Sequence, residues 1–169
     1  MDFISWFLNL ILQQLFKFIP SHLPNTNAFL SRLHSIGAED ERLVFESFDV
    51  TALYINVYNS DALRAVHEIL VEHPADLNLY GLSISQTISL LEECLMCNVF
   101  KWAGQYFKQI RGLAMGRRLA PALAAAFMSK IEAPILLRTT VLYCRYVDDC
   151  FVVCSTQSEM DICFNILNE

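Results

Sequence analysis

Hydrophobic positions recur with helical spacing at the start of the chain. Apolar residues occupy positions 4, 7, 8, 11, 12, 15 and 16, which share one face of a helix. The run is interrupted by five polar residues: Ser5, Asn9, Gln13, Gln14 and Lys17. It therefore falls short of the roughly 20 apolar residues that are needed to span a membrane. The pattern predicts a packed helix over residues 3–19, with a helix lying on a membrane surface as the alternative.

Five later segments carry helix signals. We predict a short helix over 28–37 that stops at Gly37, and a helix over 61–73 that Ser60 caps. A third helix is predicted over 86–96, with Ser83 or Ser85 as the residue that starts it. The small-residue segment 122–134 predicts a helix that stops near Pro134, and a Ser/Thr cap begins the last one, which ends near residue 167.

Strand signals occupy the intervening segments. "RLVFESFDVTALY" (42–54) predicts a strand that ends in a turn, and "NVFKWAGQYFKQI" (98–110) predicts a hairpin turning at Ala103–Gly104. "TVLYCRY" and "CFVVCS" predict two further strands joined by Val-Asp-Asp. Antiparallel hairpins mixed with helices indicate an α+β fold, a mainly antiparallel sheet packed on helices, in place of a doubly wound sheet.

Composition adds an excess of apolar surface. The chain has 169 residues, of which 54% are hydrophobic, and a mean hydropathy of +0.37. Such values predict a large core, or surfaces that pack against sequence absent from this chain. The net charge of −6 and pI of about 5.2 argue against a generally basic protein that coats nucleic acid.

The charges are unevenly spread along the chain. Six of the twelve Lys and Arg residues lie between positions 101 and 130, a window without Asp or Glu. The window is either a solvated face or a local surface that contacts phosphates.

The six cysteines lie inside apolar runs, which indicates reduced, structural thiols in an intracellular protein. The pair in "ECLMCN" forms a C-x-x-C, but no second pair follows at zinc-binding spacing. We therefore expect no zinc site or redox centre there.

Three carboxylates are out of place in apolar surroundings. Asp148 and Asp149 interrupt the hydrophobic run "CRYVDDCFVVC", and Asp49 ends the strand "ESFD". Aspartate is common in hairpin turns, so one interpretation is a turn alone. The other is that carboxylates meeting at strand ends bind a hard divalent cation such as Mg²⁺, with substrate phosphates completing its ligands.

The motifs around these residues resemble those of a known family. "FDVTALY" and "YVDD" resemble the A and C motifs of reverse transcriptases, and "GLAMGRRLAP" resembles the B motif between them. The sequences of four segments are most similar to those of the reverse transcriptases of Penelope-like retroelements: "SFDVTALYINV", "IRGLAMG", "LAP" and "SKIE". The resemblance runs from about residue 10 onward and implies a reverse-transcriptase palm-type core.

The resemblance also implies roles for individual residues. Asp49, Asp148 and Asp149 would be catalytic. Asp49 and Asp148 would be the principal ligands of two Mg²⁺ ions, or Mn²⁺, with Asp149 as the third, more peripheral carboxylate and the backbone of Val50 as a further ligand. The incoming dNTP would contact Val50, Thr51, Ala52, Leu53, Tyr54, Met115 and Gly116. The Tyr54 ring would exclude a ribose 2′-hydroxyl. RNA template and DNA primer would contact Arg111, Gly112, Arg117, Arg118 and Tyr146.

The chain departs from the family pattern in two respects. Arg117–Arg118 replace the usual Ser-Pro of the B motif, and Ala120 replaces a common serine. We also expect an N-terminal helical segment over 1–38 and a partial palm over 39–169, with fingers and thumb supplied by a longer product. The implied activity is RNA-directed DNA synthesis; the alternative is an inactive remnant that binds nucleic acid or protein. Family analogy implies a nuclear location, and no membrane partner is expected.

Overall fold

The computed structural model of the chain describes residues 2–37, 42–114, 116–138 and 140–168. Within these ranges the helices are α1 (Asp2–Gln13), continued by a 3₁₀ helix (Gln14–Phe18), α2 (Thr26–Ser35), α3 (Leu53–Asn56), α4 (Asn59–Glu72), α5 (Ile84–Met96), α6 (Ala120–Leu136) and α7 (Gln157–Leu167). The strands are β1 (Val44–Asp49), β2 (Val99–Trp102), β3 (Gln105–Lys108), β4 (Leu142–Tyr146) and β5 (Asp149–Cys154). The predicted α+β class is confirmed.

The chain divides into two compact units, and neither is continuous in sequence. Unit 1 comprises Met1–Ile19 and Ala52–Phe127, and unit 2 comprises Pro20–Thr51 and Met128–Glu169. Helix α6 therefore contributes residues to both units. The predicted boundary between residues 38 and 39 lies outside the described residues.

Unit 1 is built mainly from helices. The predicted N-terminal helix is confirmed: α1 and its 3₁₀ extension bury Leu8, Ile11, Leu12 and Leu15, and α1 packs against α5. No helix within the described ranges is both long and apolar enough to cross a membrane. The 3₁₀ extension is fixed to the loop after α4, where the Lys17 ammonium donates to the Asp76 carbonyl at 2.6 Å.

The helix starts in unit 1 test two predicted caps. Ser83 caps α5 with a complete capping box, because its hydroxyl accepts from Gln86 N while the Gln86 side chain accepts from Ser83 N. The prediction that Ser60 caps α4 is wrong. The helix begins two residues earlier than predicted, at Asn59, after Tyr58 in extended conformation, and no side-chain hydrogen bond caps it.

Strands β2 and β3 form a separate two-stranded antiparallel sheet in unit 1, and the predicted hairpin is confirmed. Ala103 and Gly104 both have positive φ angles, 47° and 81°, as a tight hairpin turn of this kind requires. All eight strand residues are exposed.

Unit 2 contains a three-stranded antiparallel sheet in the order β1-β5-β4. Strand β5 is central and largely buried, as its continuous apolar run predicts. One sheet face packs against α7, and the core between them includes Tyr143, Val152, Cys154 and Met160. The predicted Val-Asp-Asp connection is shorter than expected, because Asp149 already belongs to β5.

Helix α6 continues beyond the proline that was predicted to stop it. Pro134 lies inside the helix, which ends at Leu136. Proline removes only its own N–H, and the next turn is still closed by Leu137 N donating to Ala133 O at 3.2 Å. The predicted Ser/Thr cap of α7 is confirmed, since the Thr156 hydroxyl accepts from Glu159 N.

The six cysteines are all free thiols, and those of unit 2 are buried. Burial raises the pKa of Cys144 to about 11 and, together with the neighbouring Cys163 thiol, that of Cys154 to about 12. These thiols are therefore neutral near pH 7 and act as small apolar core residues, as predicted.

Candidate active site

Two of the three predicted catalytic carboxylates face each other across the sheet of unit 2. Asp49 is the last residue of β1 and pairs directly with Asp149, the first residue of β5. On the other side of β5, Asp149 pairs with Tyr146 of β4. Directly opposed residues project from the same sheet face, with Cα atoms about 4.5–5.5 Å apart. Asp49, Asp149 and Tyr146 thus form one row at the end of the sheet, and all three are exposed.

The third carboxylate, Asp148, lies in the tight turn between β4 and β5. Its carbonyl accepts a hydrogen bond from Val50 N at 2.9 Å, which joins this turn to the end of β1. Val147, the preceding residue, has a φ angle of +56°, a conformation that β-branched residues rarely adopt. The turn is therefore strained, and the surrounding contacts must hold it in place.

A buried arginine supplies that support. Arg145 of β4 is 1% exposed, and its Nη1 donates to the Val147 carbonyl at 2.7 Å. Its Nε forms an ion pair with Glu132 of α6, which is fully buried. Arg145 therefore connects α6 to the turn that carries Asp148 and Asp149.

Glu132 is hydrogen-bonded at both carboxylate oxygens. Oε2 accepts from the buried Ser21 hydroxyl, and Oε1 accepts from Arg145 and from the Tyr143 hydroxyl, the latter at 3.1 Å. Burial and the adjacent Glu132 carboxylate raise the pKa of Tyr143, which keeps its hydroxyl a neutral donor. A buried charge is tolerated only when it is paired and hydrogen-bonded in this way.

The backbone of Arg145 is also fixed. Arg145 N donates to Ser21 O at 2.7 Å, and Leu23 N donates to Arg145 O at 2.9 Å, so residues 21–23 run along the outer edge of β4. Arg32 of α2 holds this segment by donating to the carbonyls of Pro20 and His22 at 2.8 and 2.9 Å. The arginine at the site is thus anchored through its main chain and its side chain.

A cavity with a volume of about 340 Å³ adjoins the carboxylate row in unit 2. Its lining is mainly apolar and includes Phe29 of α2, Tyr146 and Phe151, whereas Ser47 and Asp149 contribute polar atoms. Phe29 and Phe151 meet edge to face with ring centroids 5.0 Å apart. Asp149 therefore lies between solvent and an apolar cavity.

The carboxylate arrangement suits a cation bound jointly with substrate. Among the described residues, no group of three or more His, Cys, Asp or Glu side chains could hold a metal ion by itself. Two opposed carboxylates are nevertheless sufficient for Mg²⁺, which binds proteins through one or two carboxylates and takes phosphate oxygens and water as its other ligands. Like charges directly opposed on neighbouring strands destabilise a sheet, and a cation would relieve this repulsion. Asp49 and Asp149 fit such an ion.

In unit 1 a glycine of the predicted B motif lies against the segment that follows the A motif. Leu113 N donates to the Tyr54 carbonyl at 2.6 Å. Gly112 has a φ angle of +81°, and a Cβ atom on it would lie 2.8 Å from Tyr54 O and 2.9 Å from Ile55 O. The close approach permitted by this glycine is therefore to the backbone of α3. Its predicted contact with nucleic acid remains a prediction.

Replacing Gly112 with alanine should destabilise the protein markedly and displace Tyr54. The new Cβ would clash with two carbonyl oxygens of α3, in addition to the cost of a left-handed φ angle, which is about 1–3 kcal/mol. Gly116→Ala is the matched control, because Gly116 has a similar φ angle of +82° but no atom within 4 Å of the added Cβ. Thermal unfolding should show a clearly larger loss for Gly112→Ala. Equal losses would mean that the contact with α3 contributes nothing.

The remaining predicted site residues differ in exposure. In unit 1, Arg111, Gly116, Arg117 and Arg118 are exposed. The Arg111 guanidinium lies over the Tyr58 ring at 5.1 Å. Tyr54 is half-buried and Leu53 is buried, and Ala52 has a left-handed φ angle of 53°. Thr51 in unit 2 is exposed, and Met115 lies outside the described residues.

Comparison with known families decides the membership of the chain. Residues 3–169 match the family described as reverse transcriptase (RNA-dependent DNA polymerase). The chain belongs to the reverse transcriptase family. This confirms the resemblance of the A, B and C motifs at the level of the family. A search of curated proteins finds no match to the sequence.

Solved structures similar to this reverse transcriptase chain include telomerases. Apo telomerase from Candida tropicalis, truncated from its C-terminal domain, aligns with a TM-score of 0.71 at 17% identity and covers 98% of this chain. Telomerase from Candida albicans in complex with a TWJ fragment of telomeric RNA aligns with a TM-score of 0.67 at 16% identity. At these identities the likeness establishes the fold. The chain spans 36% and 32% of the lengths of those two structures.

The sequence interpretation of this reverse transcriptase missed Arg145 and Glu132. Each had a visible signal, because an arginine within "LYCRY" and a glutamate within "SKIEAP" are charges in otherwise apolar segments. A buried charge requires an opposite partner, and the structure pairs these two residues with each other.

Proposed function

We propose that the chain is the palm portion of an RNA-directed DNA polymerase of the Penelope-like group. It would transfer a nucleotide from a dNTP to the 3′-hydroxyl of a primer. The observation that carries this proposal is the opposition of Asp49 and Asp149 at the end of an antiparallel sheet, beside the turn of Asp148. The sequences of the segments "SFDVTALYINV" and "SKIE" support the assignment to the Penelope-like group.

Each carboxylate has a defined task in this proposal. Asp49 and Asp148 would be the principal ligands of the divalent ions, Asp149 would be the third, more peripheral carboxylate, and the Val50 carbonyl would add a fourth ligand. Bound Mg²⁺, or Mn²⁺, supplies activation of the primer hydroxyl and neutralisation of charge on the transferred phosphate. The protein contributes positioning and fixed electrostatics, and no covalent intermediate with the enzyme is needed.

The substrates would be held by residues of both motifs A and B. The dNTP lies along the backbone of residues 50–53 and contacts Met115 and Gly116, and the Tyr54 ring excludes ribonucleotides. Arg111, Arg117 and Arg118 bind phosphates of the template and primer, which gives a grip that is independent of sequence. Gly112 and Tyr146 approach the RNA template and the primer end, respectively.

A second candidate is a binding module that has lost catalysis. The observation that favours it is that Arg117–Arg118 replace the usual Ser-Pro of the B motif. In this case the carboxylates are inherited, and the exposed basic residues retain nucleic-acid binding.

Primer extension tests the first candidate directly. The purified chain should extend oligo(dT) on poly(rA) with dTTP and Mg²⁺, and the Asp148→Ala/Asp149→Ala double variant should not. Size-exclusion chromatography of both proteins verifies that they are folded and monodisperse. A folded wild-type chain that binds the template–primer without extending it would favour the second candidate and contradict the first.

A further inference from the structure

The β2–β3 hairpin of unit 1 exposes an unusual set of side chains, and the function proposed above does not use them. Four aromatic residues lie in its two short strands: Phe100, Trp102, Tyr106 and Phe107. Trp102 is 71% and Tyr106 is 74% exposed. Exposed aromatic clusters of this kind are uncommon on surfaces without a binding role.

The strand register sorts these side chains onto two faces. Phe100 pairs with Phe107 and Trp102 pairs with Gln105, so one face carries three aromatic rings and no charge. The rings of Phe100 and Phe107 are stacked, with centroids 5.8 Å apart and planes inclined by 24°. This face therefore carries three exposed aromatic rings and no charged side chain.

The opposite face of the hairpin is basic. Val99 pairs with Lys108 and Lys101 pairs with Tyr106, and the Lys101 ammonium lies 5.5 Å from the Tyr106 ring centroid. Both lysines have flexible four-carbon side chains that can reach beyond the edge of a ribbon only two strands wide. Between Glu93 and Glu132 the chain has no acidic residue and six Lys or Arg, although its net charge is −6.

We propose that the β2–β3 hairpin is a stacking platform for a single strand of RNA, distinct from the carboxylate site. Bases stack on Phe100, Trp102 and Phe107, and Lys101 and Lys108 contact the phosphates. Aromatic rings flanked by positive charge bind single strands without reading sequence, because every base has a flat face. The choice of RNA over DNA rests on the proposed function, whose template is RNA.

Binding of fluorescein-labelled oligo(rU), followed by fluorescence anisotropy in EDTA without dNTP, tests the platform separately from catalysis. Trp102→Ala should weaken binding by about 5- to 150-fold, the usual range for loss of one stacked base. Ile110→Ala is the matched control, because Ile110 is a 91% exposed apolar residue outside the hairpin. It should bind like the wild type.

Two further measurements make the result specific. Lys101→Gln/Lys108→Gln should reduce the slope of log K against log salt by about 1.4, the value for two phosphate contacts on a single strand. In a Trp6→Phe background Trp102 is the remaining tryptophan, and oligo(rU) should quench its fluorescence. Circular dichroism should show every variant folded, since the replaced hairpin side chains are exposed.

The outcomes separate this proposal from the polymerase proposal. Asp148→Ala/Asp149→Ala should bind oligo(rU) like the wild type, even though it cannot extend a primer. Wild-type affinity in Trp102→Ala, with no quenching of Trp102, would overturn the platform whether or not the chain is a polymerase. Loss of self-association in that variant, without an effect on RNA binding, would instead identify a protein interface and also overturn it. Equal or tighter binding of oligo(dT) would overturn the assignment to RNA.

Discussion

Replacing Arg145 with methionine should lower the free energy of unfolding by about 3–5 kcal/mol, the usual cost of removing one partner from a buried ion pair. The guanidinium donates to Glu132 and to the Val147 carbonyl, and both groups would lose that donor. Glu132 is fully buried, so its charge would remain without a counter-ion in a medium that solvates it poorly. Chemical denaturation, monitored by circular dichroism, measures the loss.

A triple variant distinguishes the stability of the pair from its effect on the turn. Ser21→Ala/Glu132→Leu/Arg145→Met removes both charges together with the serine that depends on Glu132, and buried pairs replaced by apolar residues are often neutral in stability. The Arg145 Nη2 atom is buried without a hydrogen-bond partner in the described part of the chain, so the native pair is itself incompletely compensated. We expect the triple variant to recover most of the lost stability.

The triple variant should nevertheless extend primers about 10²-fold more slowly, because a displacement near 1 Å in a catalytic group can cost that much. The Val147 carbonyl would then lose the Arg145 donor, and a valine at a φ angle of +56° tends to relax. A triple variant with wild-type stability and wild-type kcat would show that Arg145 serves the core alone.

Asp49→Asn should reduce primer extension by at least about 10²- to 10³-fold, since loss of one preorganised charge at a reacting phosphate costs several kcal/mol. The same substitution should slightly stabilise the protein in EDTA, because it removes the repulsion between Asp49 and Asp149 across the sheet. Mn²⁺ should raise the melting temperature of the wild type and not that of the variant.

Glu46→Gln provides the matched control for Asp49→Asn. It removes the same charge from the same strand three residues earlier, and its side chain lies on the other sheet face, where it accepts from Gln157. Its activity and its response to Mn²⁺ should equal those of the wild type. Unchanged extension by Asp49→Asn would contradict the assignment of the A motif.

Local sequence signals predicted the elements that depend on local physics. The serine and glutamine of "SISQ" define the start of α5, and Ala103–Gly104 defines the hairpin turn. Apolar runs next to an aspartate predicted β1, which ends at Asp49, and β5, which begins at Asp149, and the antiparallel pairing of these strands puts the two carboxylates opposite each other. These features need only neighbours in sequence, or the requirement that like charges share a cation.

The features that escaped prediction depend on tertiary partners. The pairing of Arg145 with Glu132 depends on how α6 and β4 pack, which spacing along the chain does not specify. The contact of Gly112 with the Tyr54 carbonyl joins residues far apart in sequence, and the glycine alone suggested a ligand contact. Aromatic strands usually predict burial, whereas β2 and β3 are exposed throughout.

The interleaving of the two units has a consequence for synthesis on the ribosome. Strand β1 ends at residue 49, whereas β5, its partner in the sheet, begins at residue 149. While the intervening residues are translated, β1 emerges with unpaired backbone groups and apolar side chains, a state prone to aggregation. Unit 1 ends at Phe127, so all of its residues are translated before β5, and it can fold before the central strand of unit 2 has been made. The rate of translation between residues 49 and 149, and the binding of a chaperone to the exposed β1 during that time, should therefore determine the soluble yield of the chain.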